Sequence, residues 1–403
     1  MEQQENNQLI DYFLSLAKKY NINQQKIYKK YDEDYDKIDE LTDDFHNKNK
    51  PTIQKKLATL QNKKVDDFEN SGIINKKLDS TLSKDLLKSI NKFADSIKPD
   101  YHPGSNNRIL NIVHPSIYPL ITSIEKSDNK VDFWERPYEN SKYQWLPSEF
   151  FINKDGKCKI QTYINNLPGL GNEIYQKIES LFDTVLPEFE KMWHYINNTE
   201  LYNNSDDIFS HNKNKKVKYT SLRNRNIQVI TKIVRIEFNS KDSLDGSWHV
   251  EGMSHENIVA TASCTLEQMK DFNATLYFKR RYMLNEAQAL VFNTPQNPPN
   301  GLRGLLEEGM IPLGKVPIKT GSLIVFPNSH IHKIDMSTTS EGQTRTIVVF
   351  WLINPDNRIT STKDIEQQSY DITEAHKHRL ELMKERTLYK SSFNIRELNL
   401  CEH

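Results

Sequence analysis

A long segment of β-strand character occupies the middle of the chain and restricts the folds open to it. Residues 227–238 read IQVITKIVRIEF, with β-branched and apolar residues at alternating positions, which predicts a strand. Turn residues separate this segment from further candidate strands at Ile258–Cys264, Thr275–Lys279, Gln288–Phe292, Gly321–Phe326 and Thr344–Ile353. Several strands at this spacing, with no helices alternating between them, predict a β-sandwich or barrel.

Glycine is scarce and unevenly distributed. The chain has 13 glycines in 403 residues, and all but one lie between Gly104 and Gly342. Because glycine supplies tight turns and bulges, the turn-rich functional domain is expected in this middle stretch. We therefore predict a helical N-terminal extension at 1–103, a mainly β domain at 104–356 and a helical C-terminal extension at 357–403.

Four segments have the residue pattern of helices. The first is Ile10–Tyr20, and the second is Ser80–Ile97, which has its first residue as the expected N-cap and ends before Pro99. A strongly amphipathic helix is predicted within 172–196, with a continuous apolar stripe that faces a core. The last, Thr362–Leu388, is charged.

Composition excludes several classes of protein. The 54 basic residues balance the 54 acidic residues, which argues against a dedicated nucleic-acid binder. The 3 cysteines are widely spaced, so neither a disulfide framework nor a thiolate zinc site is predicted. No run of 18 apolar residues is present, so no membrane span is expected. The N-terminus lacks signal-peptide architecture, and we expect a cytoplasmic protein, with the nucleus as an alternative.

The residues with the clearest chemical potential lie in the segment GSWHVEG. His249 and Glu251 are two positions apart, so on an extended backbone their side chains point to the same side and can meet one metal ion. Such a pair also arises by chance in a chain with 12 histidines and 54 acidic residues. A structural hydrogen-bonded pair is therefore the alternative to a metal site.

Candidate partners for this pair occur downstream. His330 and His332 follow the strand-like segment GSLIVFPN, and Arg345 begins the next predicted strand. Two histidines and a carboxylate leave positions open on a non-haem Fe(II) ion. A buried arginine at this place could bind a carboxylate through two parallel hydrogen bonds, whereas an exposed one would form a surface ion pair.

This order of residues resembles that of the Fe(II)/2-oxoglutarate-dependent oxygenases, whose fold is a double-stranded β-helix, or jelly roll, of the cupin-like type. More closely, the chain resembles a family of mostly fungal and other eukaryotic proteins known as a domain of unknown function. The resemblance covers roughly residues 110–356 and rests on seven ordered phrases: VHPSIYPL, YQWLPSEF, TYINNLPG, IQVITKIVRIEF, GSWHVEGM, NIVATA and LIVFPNSHIHKI.

Carried over residue by residue, the resemblance implies that His249, Glu251 and His332 are iron ligands and that Arg345 binds the distal carboxylate of 2-oxoglutarate. His330 competes with His332 as the distal ligand, and the family phrase favours His332. Most of the oxygenase superfamily has aspartate at the carboxylate position, but the family of unknown function has glutamate. Lys232, on the strand before the motif, could also face the pocket.

The function that the resemblance implies is 2-oxoglutarate decarboxylation coupled to C–H oxidation, giving hydroxylation or demethylation. The alternatives are an inactive jelly-roll binding or scaffold protein and a cupin-type metal enzyme that does not use 2-oxoglutarate. The substrate class stays open between a small molecule and a protein side chain, and no feature of the sequence predicts an oligomeric state.

Overall fold

The computed structural model describes residues 55, 58–65, 67–122, 141–199, 201, 221–283, 310–367 and 371–393. The chain divides into two compact units. One comprises Met1–Ser71, Asn197–Val217 and Phe278–Lys315, and the other comprises Gly72–Ile196, Lys218–Tyr277 and Val316–His403. The predicted helix Ile10–Tyr20 and the predicted strand Gln288–Phe292 lie outside the described residues.

Within the first unit, a short extended segment follows the edge of one strand. The Lys315 amide donates to the Lys63 carbonyl at 2.8 Å, and the Val65 amide donates to the Lys315 carbonyl at 3.2 Å. The chain approaches so closely here that a Cβ on Gly314 would lie 2.6 Å from the Lys63 carbonyl oxygen. A side chain at position 314 would therefore break this pairing.

The described residues contain fourteen strands in three sheets. In chain order they are β1 Ile74–Lys77, β2 Ile109–Val113, β3 Leu120–Ile121, β4 Tyr143–Gln144, β5 Ser148–Ile152, β6 Cys158–Ile160, β7 Arg225–Phe238, β8 Ser243–Asp245, β9 Ile258–Gln268, β10 Phe272–Arg281, β11 Met310–Ile318, β12 Ser322–Pro327, β13 Ile331–Thr338 and β14 Gln343–Ile353. The large sheet has the order β1-β12-β9-β14-β7-β5-β6, with β2 also paired to β7. A second sheet has the order β11-β10-β13-β8, and β3 pairs with β4.

The last eight strands form the core of the fold. Strands β7, β14, β9 and β12 are neighbours in the large sheet, whereas β8, β13, β10 and β11 form the second sheet. Except for the step from β10 to β11, successive strands therefore pass from one antiparallel sheet to the other, which is the topology of a double-stranded β-helix, or jelly roll. This confirms the predicted fold class, a mainly β core with flanking helices. Strands β11 and β13 were not among the candidate segments.

The helices flank this β core, and their ends differ in part from the predictions. They are α1 Phe68–Ser71, α2 Ser80–Ala94, α3 Glu173–Asn198 and α4 Ile372–Phe393. The N-cap of α2 is Asp79 and not Ser80, because the Asp79 carboxylate accepts hydrogen bonds from the amides of Thr81 and Leu82 at 2.9 and 2.8 Å. Helix α3 confirms the predicted amphipathic helix.

The C-terminal helix begins ten residues after its predicted start at Thr362. The preceding residues form a turn instead, because the Ser361 amide donates to the Asp364 carboxylate at 3.0 Å and the Asp364 amide donates back to the Ser361 carbonyl at 3.0 Å. Side-chain bonds of this kind compete with helix formation. None of the helices in the described part of the chain is long and apolar enough to cross a membrane.

Candidate active site

His249 and His332 are fixed opposite each other by the backbone. They form an isolated antiparallel bridge, in which the His249 amide donates to the His332 carbonyl at 2.9 Å and the His332 amide donates back at 3.0 Å. Residues opposite each other in such a pair present their side chains on the same side. The centres of the two imidazole rings are accordingly 4.2 Å apart.

Glu251 completes a compact group with these two histidines. Its Oε1 lies 3.4 Å from Nε2 of His332 and 3.9 Å from Nε2 of His249, and one ligand atom from each residue falls within 4.8 Å of the others. All three side chains are buried. The distance to His249 is too long for a hydrogen bond, so these two residues do not form the structural pair considered from the sequence.

A hydrogen bond to the backbone orients His249. Its Nδ1 lies 2.8 Å from the Ser247 carbonyl, an acceptor, so Nδ1 carries the proton. The lone pair of the neutral ring is then on Nε2, the atom that faces Glu251. This is the arrangement by which proteins orient a metal-binding imidazole.

Asn328 holds the backbone of Glu251 from both sides. Its Oδ1 accepts from the Glu251 amide at 2.9 Å, and its Nδ2 donates to the Glu251 carbonyl at 2.8 Å and to the Ile258 carbonyl at 3.2 Å. Sequence reasoning did not assign this role, although Asn328 ends the phrase GSLIVFPN that leads to His332. The phrase GSLIVFPN marked Asn328 as part of a family motif. Its hydrogen-bond partner Glu251 lies 77 positions earlier, so the role could not be inferred from the sequence.

Two glycines allow the loop that carries the motif. Gly252 has φ +65°, and a Cβ there would lie 2.6 Å from Cδ1 of Ile258 and 2.7 Å from a carboxylate oxygen of Glu256. A Cβ on Gly246 would lie 2.6 Å from the Ile334 carbonyl oxygen. The Ile334 backbone therefore leaves no room for a side chain at position 246. At position 252 a side chain would be strained by the positive φ and would displace the ends of the Ile258 and Glu256 side chains.

The ionisation of Glu251 suits a ligand for a cation. Burial alone would raise the pKa of this carboxyl, but a hydrogen bond from His332 and electrostatic interactions with His249, His332 and Lys232 outweigh burial and lower the pKa below its ordinary value. Glu251 is therefore a carboxylate at neutral pH.

Arg345 is a buried cation and not a surface residue, with 1% of its area exposed. Its Nη2 is 3.4 Å from Oγ1 of Thr265, its Nη1 is 4.0 Å from the sulfur of Met336, and its Nε has no hydrogen-bond partner among the residues that the structure describes. Within that same part of the chain no carboxylate forms an ion pair with it. Burial lowers its pKa to about 10, so it is still charged at neutral pH.

Arg345 projects from the face of the large sheet that packs on the histidines. It contacts Thr265, which shares one face of β9 with Thr261 because side chains alternate along a strand. Thr261 pairs with Phe326 of β12, and the Phe326 ring centre is 4.7 Å from that of His332. The guanidinium and the His-Glu-His group therefore belong to one side of the sheet.

His330 lies outside the group of candidate ligands. It precedes β13 in a turn, with its amide donating to the Pro327 carbonyl at 3.0 Å, and so it does not lie on the strand that carries His332. Its side chain is buried. Among the described residues, the ligand atoms brought together are those of His249, Glu251 and His332.

The donor set of this group suits a first-row transition metal. Two imidazole nitrogens and one carboxylate oxygen on one side of an ion leave its other positions open, as in non-haem Fe(II) oxygenases. Bonds of about 2.1 Å at right angles would place such donors about 3 Å apart. The observed separations of 3.4 and 3.9 Å reach this value with small side-chain movements.

Comparison with known sequences gives one family. The profile of a family described as "Protein of unknown function (DUF4246)" matches residues 35–216 and 193–376, which is most of the chain. The chain belongs to this family. The family assignment agrees with the resemblance seen in the seven phrases. No curated protein matches the chain.

Solved structures resemble the chain only distantly. An IDO from Bacillus thuringiensis is 8% identical over 72% of this chain and 92% of its own, with a TM-score of 0.33. The non-heme alpha ketoglutarate dependent epimerase SnoN from nogalamycin biosynthesis is 10% identical over 80% of this chain and 92% of its own, with a TM-score of 0.35. Likenesses this weak carry no argument about function, which has to come from the site.

Proposed function

We propose that this protein is an Fe(II)- and 2-oxoglutarate-dependent oxygenase of the hydroxylase or demethylase type. In this proposal His249, Glu251 and His332 bind the iron, and Arg345 binds the distal carboxylate of 2-oxoglutarate. The observation that carries the proposal is the combination of a buried two-histidine, one-carboxylate group with a buried arginine on the same side of the sheet.

The buried arginine distinguishes this function from metal binding alone. A guanidinium removed from water is costly unless a carboxylate or a set of acceptors offsets the loss of hydration. Two weak contacts, to Thr265 and Met336, do not provide this. A dicarboxylic cosubstrate would, because one carboxylate can accept two parallel hydrogen bonds from the guanidinium.

Iron and 2-oxoglutarate, when bound, would supply the oxidising chemistry, in which O₂ and cosubstrate decarboxylation to succinate drive oxidation of a C–H bond. Other residues of the chain orient the candidate ligands. His249 presents Nε2 because Ser247 fixes its proton on Nδ1, and Asn328 fixes the backbone from which Glu251 projects. The burial of all three ligand side chains keeps bulk water from the site.

The direct test is iron-dependent conversion of 2-oxoglutarate to succinate, measured with wild type and His249→Ala. His194→Ala is the matched control, because His194 is an exposed histidine on α3. The proposal expects succinate from wild type and the control, and none above background from His249→Ala. Equal succinate formation in all three proteins would contradict it.

Arg345→Met separates this function from a cupin-type enzyme that uses no 2-oxoglutarate. The oxygenase proposal expects iron to bind this variant while 2-oxoglutarate does not. If wild type binds iron but 2-oxoglutarate has no affinity for it, the cupin-type alternative replaces the proposal. If neither binds, the scaffold alternative does.

A further inference from the structure

A second buried cation, Lys232, lies on the same face of the large sheet as Arg345. It pairs with Val349, and the side chains of Val349, Trp351 and Arg345 alternate onto one face of β14. The Lys232 side chain is 2% exposed, and its Nζ is 5.9 Å from the centre of the Trp351 ring. From Arg345 to Val349 is four residues, or about 13 Å along a strand.

The two buried cations lie at different levels of the large sheet. Arg345 lies toward the start of β14, and Lys232 lies toward the end where Trp351 is found.

His114 stands next to Lys232 as a neutral hydrogen-bond donor. Val113 of β2 pairs with Ile233 of β7, so the following residue, His114, comes beside Lys232. Burial first, and then the Lys232 charge, hold the pKa of His114 well below its ordinary value. Its Nδ1 accepts from the Ser116 amide at 3.2 Å, so the proton of the neutral ring is on Nε2.

Two further polar atoms lie on this inward face. Trp351 of β14 and Thr261 of β9 are directly opposite each other, and both are buried. Trp351 is held by stacking on Trp145, with ring centres 5.1 Å apart. Among the residues that the structure describes, neither Nε1 of Trp351 nor Oγ1 of Thr261 has a hydrogen-bond partner, and the same is true of Nε2 of His114.

The side chains of Lys232, His114, Trp351 and Thr261 can all act as hydrogen-bond donors. An ammonium, an indole N–H and an imidazole Nε2–H only donate, and the threonine hydroxyl can donate as well. Buried donors in folded proteins are normally paired, so the indole, imidazole and hydroxyl groups call for a ligand rich in acceptor oxygens. Lys232 adds a positive charge to this set of donors, and a carboxylate offers both the negative charge and the acceptor oxygens that such a set can bind.

We propose that Lys232, His114, Trp351 and Thr261 form a carboxylate-binding subsite for the substrate, which is therefore a small carboxylic acid. This inference rests on the proposed oxygenase function, because only an enzyme of that kind has a substrate to bind here. It places the substrate carboxylate in the same barrel as the iron ligands and apart from Arg345. The carboxylate itself undergoes no chemistry. It fixes the substrate so that another carbon faces the metal.

The test is ligand-observed NMR with a panel of monocarboxylic acids of about one to eight carbons and their matching primary amides. Inorganic phosphate is a further arm. The protein is used first alone and then loaded with zinc and saturating 2-oxoglutarate, which gives a complex inert to O₂. Lys232→Met removes the charge at nearly constant length, and Lys159→Met, at an exposed lysine paired with Glu179, is the matched control.

The expected result is that at least one acid binds wild type and Lys159→Met, that its amide and phosphate bind at least tenfold more weakly, and that 2-oxoglutarate does not displace it. Lys232→Met should weaken the acid at least tenfold. Trp351→Phe, which removes one N–H and keeps an aromatic ring, should weaken it about threefold or more. If Lys232→Met fails to fold, the affinity of Trp351→Phe for the acid tests the subsite instead.

Three results would overturn the subsite. One is that no acid of the panel binds wild type, the second is that acids and amides bind equally, and the third is that Arg345→Met abolishes acid binding while Lys232→Met leaves it unchanged. The last result would leave the proposed function intact, because that function depends on iron-dependent succinate formation. Conversely, acid binding that requires Lys232 in a protein that forms no succinate would support the subsite and contradict the oxygenase.

Discussion

The two candidate binding regions on the inward side of the large sheet differ in how their charges are balanced. In the first region, the carboxylate of Glu251 lies 3.4 Å from one imidazole and 3.9 Å from another. Its negative charge therefore has favourable neighbours even without a metal ion. At the other, Arg345 is buried without an ion pair in the described part of the chain. In the proposed function the first region binds a metal ion, and the second gains the counter-charge for its arginine when the cosubstrate carboxylate binds.

This difference predicts opposite effects of mutation on the unliganded protein. Removing a member of the balanced group damages a network, whereas removing the arginine relieves a buried charge. Variants in the two regions therefore test this difference. Their expected effects range from a large change in ligand affinity to a small change in stability.

The largest effect is expected for Arg345→Met on 2-oxoglutarate. Loss of one partner of a buried hydrogen-bonded charge pair costs about 2–5 kcal/mol. The dissociation constant of 2-oxoglutarate should therefore rise by more than about 30-fold in calorimetry. In the same variant without ligand, the melting temperature should stay equal or rise. A clear fall in melting temperature with unchanged 2-oxoglutarate affinity would show that Arg345 is structural.

His249→Ala should abolish tight iron binding. Loss of a residue that only supports a metal ligand costs about 10–100-fold in affinity, so loss of a ligand should cost about 100-fold or more. Competition with a coloured chelator under anaerobic conditions measures it, with His194→Ala as control. His330→Ala, in the same assay, should change affinity by less than about threefold, and a loss like that of His249→Ala would make His330 the distal ligand.

Asn328→Ala should weaken iron binding less than this, by about 10–100-fold, because Asn328 positions the backbone of Glu251 but offers no atom to the metal. When iron is present at saturating concentration, the affinity for 2-oxoglutarate should change little. An effect on 2-oxoglutarate as large as that on iron would mean that the two regions are not separate.

The smallest effect is expected for Gly252→Ala on stability. A side chain at φ +65° is strained by about 1–3 kcal/mol, and the new Cβ would also press on Glu256 and Ile258. Urea unfolding should show the loss without a change in slope. Gly342→Ala is a suitable comparison, since that glycine also has positive φ, +62°, but a Cβ there would meet no atom within 4 Å. If Gly342→Ala lowers the free energy of unfolding less than Gly252→Ala does, the difference is the contribution of crowding at position 252, because both positions share the backbone strain.

The strands and the site could be predicted to different extents from the sequence. The segment IQVITKIVRIEF predicted β7 because a long β-branched run has few other structures open to it. Strands β11 and β13 were missed because Gly314 and two prolines interrupt the first and Lys333 and Asp335 give the second a polar pattern. Their pairing depends on partners that lie elsewhere in the chain.

The candidate ligands could be named from the sequence, but their support could not. His249, Glu251 and His332 followed from two phrases, whereas Asn328, Thr265 and the donors around Lys232 act through neighbours far away in the sequence. The predicted extensions at 1–103 and 357–403 stay predictions, and β1 pairs with β12 from within the first of them.

The most direct test of the central claim is an anaerobic titration of the iron-loaded protein with 2-oxoglutarate, followed by visible absorption. We predict a saturable metal-to-ligand charge-transfer band in wild type, and in Arg345→Met the same band only at more than about 30 times the concentration of 2-oxoglutarate. No band in iron-loaded wild type, or equal titrations in the two proteins, would contradict the claim that Arg345 and the His249–Glu251–His332 group together bind this cosubstrate.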